Sequence, residues 1–198
     1  MNSHVVVIVG SNRSNSQSLK VAKFLQKRLE ELNICDSIHL LDLASIRLPL
    51  WPERDLNEVW ADQKSALQKA TSLIVISPEW HGMACPAIKN LFFYAGLSEV
   101  GHKPALLVGV SAGIGGAYPL IELRTSSFKN CRIAYLPEQL IVRQVECMLN
   151  DQEPHDENDC RLRARIDWSL IMLSSYDKAL RSVRKDINMH LPDFANGM

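Results

Sequence analysis

The densest run of chemically useful side chains is Gly10-Ser11-Asn12-Arg13-Ser14-Asn15-Ser16-Gln17-Ser18. It holds four serines, two asparagines and one arginine, and no carboxylate. Hydroxyls and a guanidinium donate hydrogen bonds, and a helix starting here adds free N–H groups and about half a positive charge. That donor set suits a terminal phosphate, around which several short groups can close. It lacks the Gly-Lys-Ser/Thr of a Walker loop and the G-x-G-x-x-G spacing that admits a bridging pyrophosphate. A serine-capped helix start with no ligand is the plainer alternative.

Two later segments have related character. Pro78-Glu79-Trp80-His81-Gly82-Met83-Ala84-Cys85-Pro86 combines an aromatic residue, a glycine and two prolines into a stiff, backbone-rich turn that could wall a planar ligand. Taken singly, Trp80 fits ordinary packing, His81 a loop hydrogen bond, and Cys85 an inert thiol with no identified base to activate it. Ser111-Ala112-Gly113-Ile114-Gly115-Gly116 has three glycines in four positions, which permit close backbone approach to a ligand or simply a tight turn.

Each segment follows an apolar run: Val5–Val9, Leu73–Ile76 and Ala105–Val110. These runs are Val/Ile/Leu-rich and do not alternate with polar residues, as expected of strands buried on both faces of a parallel sheet. Ser37–Leu41 and Arg132–Tyr135 are weaker strand candidates. Between them the apolar spacing is helical. Leu19, Ala22, Leu25, Leu29 and Leu32 form one stripe, and Glu58–Lys69, Pro86–Ala95 and Gly116–Phe128 supply three more helices. A long last helix carries Leu162, Ile166, Leu170, Leu173, Tyr176, Leu180 and Val183, with Arg181, Arg184 and Lys185 expected in its final turns. Five alternations of strand and helix predict one α/β domain over residues 1–198: a three-layer sandwich on a five-stranded parallel sheet of order 2-1-3-4-5. In such sheets ligands sit beyond the carboxyl ends of the strands, which is where the three segments fall.

Composition narrows the function. The chain has 198 residues, with 22 Lys+Arg balancing 22 Asp+Glu. Zero net charge argues against nucleic-acid binding, and 46% hydrophobic residues argue against disorder. Little charge also means little repulsion between copies, which leaves self-association open without establishing it. No apolar run reaches the ~20 residues that span a bilayer, and none resembles a signal peptide. The five cysteines (Cys35, Cys85, Cys131, Cys147, Cys160) are widely spaced with no C-x-x-C pair. Reduced thiols, a cytoplasmic location and no metal site are the expectation.

Together the segments resemble the NAD(P)H-dependent FMN reductase family, a flavodoxin-like group that includes small quinone, chromate and azo-dye reductases. Gly10, Ser11, Arg13, Ser16 and Ser18 match its G-S-x-R-x-x-S-x-N/S motif. Pro78, Glu79, Trp80, His81, Gly82, Lys89 and Asn90 match P-E-Y-N/H-G-S followed by K-N, and Ser111, Gly113, Gly115 and Gly116 match its third, generic motif. The resemblance spans about residues 4–185. It implies that Ser11, Arg13, Ser16, Gln17 and Ser18 hold the FMN phosphate. The backbone from Pro78 through Glu79, Trp80, His81 and Gly82 to Met83 would line the isoalloxazine, and Ser111, Gly113 and Gly115 would close its other edge. Two departures stand out: Trp80 replaces the usual Tyr, and Met83 stands where a Ser or Thr hydroxyl is common.

The sequence offers no Ser-His-Asp set, no defined carboxylate pair and no catalytic side chain, which fits a flavoenzyme whose cofactor carries the chemistry. The expected cycle passes hydride from NAD(P)H to FMN, then to a small acceptor at the same face: a quinone, azo compound, metal ion or free flavin. A flavodoxin-like electron carrier is the alternative, though carriers of that kind are usually strongly acidic. The resemblance also implies a homodimer or homotetramer, while the charge balance and the lack of a long apolar run lead us to expect no nucleic-acid or membrane partner.

Overall fold

The computed structural model describes residues 2–53, 56–129 and 131–189. Its framework is a parallel sheet of β1 (His4–Val9), β2 (Ser37–Asp42), β3 (Ser72–Trp80), β5 (Pro104–Val110) and β6 (Ala134–Val142), arranged β2-β1-β3-β5-β6. A two-residue strand, β4 (Met83–Ala84), pairs antiparallel with the end of β3. The five parallel strands, counted in chain order, thus lie 2-1-3-4-5. The inserted β4 is what shifts their numbering.

The alternation of side chains along each strand supplies two cores. Val5, Val7 and Val9 pack with Val21, Leu25 and Leu29 of α1 (Gln17–Leu32) and with Ile166, Leu170 and Leu173 of α7 (Glu157–Met189). Val6 and Ile8 face the opposite layer, built from α3 (Asn57–Lys69), α4 (Pro86–Tyr94), α5 (Leu97–Val100) and α6 (Tyr118–Ser126). All five of these β1 residues are buried, each worth about 1.5–3 kcal/mol of apolar transfer. Burial on both faces is why the runs show no polar alternation. A single turn, α2 (Leu43–Ile46), follows β2.

The structure revises several boundaries. β6 continues beyond Tyr135 to Val142, past a register shift opposite Ala105 and Leu107 that accommodates Pro137. An edge strand tolerates a proline there because one of its sides needs no ladder bonds. α6 starts only at Tyr118, since Gly116 has φ +102°, outside the helical region. α7 runs on to Met189 with no basic residue in its last turn. Arg181 and Arg184 therefore do not cap it. They bind Asp177 at 2.6 and 3.1 Å, which also accepts from Ser3 and Thr71 at the amino ends of β1 and β3.

No helix among the described residues is long and apolar enough to cross a membrane.

Candidate functional site

Because the five main strands are parallel, the loops leaving β1, β3 and β5 share the carboxyl edge of the sheet. Gly10 fixes the first loop against β3: its N–H donates to the Ile76 carbonyl at 2.8 Å. A Cβ at Gly10 would lie 2.5 Å from that carbonyl oxygen and 2.9 Å from Ile88 Cδ1, so only glycine lets the chain turn so close to the neighbouring strand. Beyond it, Ser16 caps α1, its Oγ accepting the Leu19 N–H at 3.1 Å. The Ser11 Oγ accepts the Arg13 N–H at 3.2 Å. Each hydroxyl that accepts a backbone N–H keeps its own O–H to donate outward. Ser18 is buried in the first turn, and the buried Gln17 Oε1 has no hydrogen-bond partner among the described residues.

The second segment is more strand than loop. β3 passes Ile76, its last residue paired with β1, and Pro78, its last paired with β5, then reaches Trp80 before turning. His81 and Gly82 form a two-residue hairpin with φ +51° and +71°, returning Met83 opposite Trp80 and Ala84 opposite Glu79. Positive φ at both central residues matches the twist of the flanking strands, and glycine meets that need at the second position. The hairpin lifts Trp80 clear of the sheet, and the Arg13 guanidinium lies over its ring, 4.6 Å from the centroid. First and second segments thus meet through a cation–π contact.

Carboxylates join the remaining parts. Glu79 Oε2 accepts the N–H groups of Gly116 at 2.7 Å and Tyr118 at 3.3 Å, tying the hairpin to the start of α6. A Cβ on Gly115 would collide with this carboxylate at 2.5 Å. From α6, Glu122 accepts from Lys89 Nζ and from the Ala84 N–H, both at 2.6 Å. The Lys89 ammonium above all, joined by the Ala84 N–H, holds Glu122 below the ordinary carboxylate range against the opposing effect of burial. Asn90 completes the Lys-Asn pair by donating to the Pro49 carbonyl and accepting the Trp51 N–H, which fixes the segment after α2. Sequence spacing did not disclose these braces, because they join residues 33 to 41 positions apart.

The third loop is fastened to β6. The Ser111 N–H donates to the Val142 carbonyl, Gln144 N–H to the Gly113 carbonyl, and Arg143 Nε to the Gly115 carbonyl at 3.2 Å. The Ser111 Oγ accepts the Gly113 N–H. Gly82 and Gly113 both face open space where a Cβ would stand. Cys85 is fully buried, and burial pushes its thiol pKa up despite backbone N–H groups and Arg13 nearby. It is no activated nucleophile.

Beside the hairpin lies an apolar cleft of about 600 Å³ walled by Leu50, Trp51, Trp80, Met83 and Phe93. Trp51 and Phe93 stack with centroids 5.3 Å apart. A larger groove of about 760 Å³ runs along α1, but much of its charge is already engaged. There Arg28 binds Asp167, and Lys20 donates to the Val145 and Met148 carbonyls.

The sequence matches the family described as NADPH-dependent FMN reductase over residues 3–146. It is 29% identical over 142 residues to an NADPH azoreductase of Bacillus sp. (strain OY1-2), covering 70% of this chain and 75% of that one. An FMN-dependent NADPH-azoreductase of Staphylococcus aureus is 26% identical over 170 residues, covering 81% and 89%. In fold, the chain is similar to FerB, a flavoenzyme NAD(P)H:(acceptor) oxidoreductase from Paracoccus denitrificans. The TM-score is 0.70 at 23% identity, with 89% of this chain and 98% of that one covered. The match runs through all three loop segments, and on that extent the chain belongs to the NADPH-dependent FMN reductase family, oxidoreductases with FMN as cofactor and NAD(P)H as co-substrate.

Proposed function

We propose that the three loops form one FMN site and that the protein reduces small aromatic acceptors, azo compounds foremost, with NAD(P)H. The observation that carries the reading is the convergence of a carboxylate-free donor loop, a raised aromatic hairpin and a glycine loop on one sheet edge. When bound, FMN accepts hydride from NAD(P)H and hands two electrons to the acceptor. The residues present fit that group. Ser11, Ser16 and Arg13 keep donors for a phosphate, whereas the unpartnered Gln17 Oε1 is an acceptor and suits a hydroxyl of the FMN rather than its phosphate oxygens. Backbone from Pro78 to Met83 faces the ring on this reading, with Ser111, Gly113 and Gly115 at its other edge. The adjoining cleft has the size and apolar lining of a small-molecule site.

Donor and acceptor would then alternate at a single face, giving ping-pong kinetics. Anaerobic mixing of the FMN-loaded protein with NADPH should bleach the visible flavin absorbance, and an azo dye should restore it. Absorbance unchanged by either nicotinamide would instead favour an electron carrier.

The same face supports self-association. Met83 and Phe93 border the apolar cleft, Phe93 and Phe128 share a second groove, and α6, whose Glu122 lines the cleft and Thr125 the groove, carries Tyr118 and Ile121. All five large hydrophobics are exposed. A patch of this kind marks an association surface, and the partner proposed is a second copy of the chain. Its test is the solution mass: a dimer for the parent, and a monomer for Phe93→Asp.

A further inference from the structure

Most well-placed arginines of the chain have a hydrogen-bond acceptor on the guanidinium: Arg124 donates to the Leu136 carbonyl and Arg143 to that of Gly115. Arg28, Arg163, Arg165, Arg181 and Arg184 each meet a carboxylate. Among the described residues no carboxylate forms an ion pair with Arg13, and its guanidinium lies on the Trp80 ring instead. The distinction matters chemically. A carboxylate would occupy the in-plane N–H groups that a phosphate needs, and would repel the phosphate as well. A ring contact restrains a guanidinium through its flat face, leaving the in-plane donors available.

Trp80 is able to do this because of local backbone geometry. β3 extends past its neighbours, and the His81-Gly82 turn holds Trp80 in a paired position opposite Met83. The Arg13 backbone is fixed separately by its N–H bond to Ser11 Oγ. Two independently anchored segments therefore bring cation and ring together.

Resting on the FMN reading above, we propose that Trp80 is a positioning residue for phosphate recognition: it holds the Arg13 guanidinium ready for the FMN phosphate. This role differs from that of a wall beside the isoalloxazine, which would act on the ring alone. The two roles separate when FMN is compared with riboflavin, which has the same ring and no phosphate.

The experiment measures dissociation constants of both flavins by flavin-fluorescence titration for the parent, Trp80→Leu, Trp80→Phe and Arg13→Ala, and for the Trp80→Leu/Arg13→Ala double variant. A partly exposed cation–π contact corresponds to about a two- to fivefold effect. Trp80→Leu should therefore reduce the preference for FMN over riboflavin by about that factor, and Trp80→Phe should restore most of it. In the Arg13→Ala background, Trp80→Leu should leave the preference unchanged. An unchanged preference in Trp80→Leu, with both flavins weakened equally or not at all, would overturn the proposal. So would an equal loss of preference with and without Arg13. Failure of the parent to bind either flavin would instead refute the FMN reading itself.

Discussion

Glu79 and Gly115 offer a test of how the glycine loop is held. The Glu79 carboxylate accepts the Gly116 N–H at 2.7 Å and the Tyr118 N–H at 3.3 Å. Hydrogen bonds to a charged group are worth about 1.5–3 kcal/mol each. The longer bond is weak and Glu79 is only half-buried, so Glu79→Ala should lose about 2 kcal/mol. Gly115→Ala should lose a similar amount for the same reason, since its Cβ would stand 2.5 Å from Glu79 Oε1 and force the carboxylate off the amides. If both act on one brace, their effects overlap. The double variant should then lose about 2 kcal/mol in urea denaturation, rather than the roughly 4 expected of independent sites. Losses that add would show that Gly115 is required for another reason. Glu79→Gln, which keeps an acceptor but not the charge, should fall between parent and Glu79→Ala.

Other expectations follow from the same geometry. Gly10→Ala should destabilise by at least about 2 kcal/mol in the same assay, because the atom it strikes is the backbone oxygen of Ile76 rather than a movable side chain. Burial tends to raise the Asp177 pKa, but bonds from Arg181, Thr71 and Ser3 outweigh it and hold the pKa low. Its stabilisation is thus present above the ordinary aspartate pKa and disappears as pH falls through the depressed folded value. Urea melts across the acid range should show that loss in the parent and a shallower one in Asp177→Asn. With a thiol reagent and mass mapping, the exposed Cys147 and Cys160 should label in the native protein, and buried Cys85 and Cys131 only on unfolding.

Much of the scaffold was legible in the sequence because burial leaves a local signature. Val5–Val9 had to be a two-sided strand, and Ser16 followed by the Leu19–Leu32 stripe had to begin a helix. What escaped has no such signature. β4 is two residues long and exists only through its pairing with Glu79 and Trp80. The later half of β6 lies behind Pro137, a residue that ordinarily argues against a strand. Within the candidate site the loops were identifiable from composition, whereas the roles of individual side chains were not. Glu79 reads as part of a ligand-facing turn, yet its carboxylate serves the start of α6. Lys89 and Asn90 stand side by side in the sequence, but only the folded chain reveals that one holds Glu122 and the other the segment at Pro49 and Trp51. Arg13 and Trp80 lie 67 positions apart in sequence, and no periodicity connects them.

Titration of the protein with FMN, followed by its own tryptophan fluorescence, asks whether these three loops make one flavin site. Trp80 stands on the hairpin at that site, so quenching should saturate at one FMN per chain and weaken in Arg13→Ala. A colourless protein whose fluorescence FMN leaves unquenched would contradict a flavin site there.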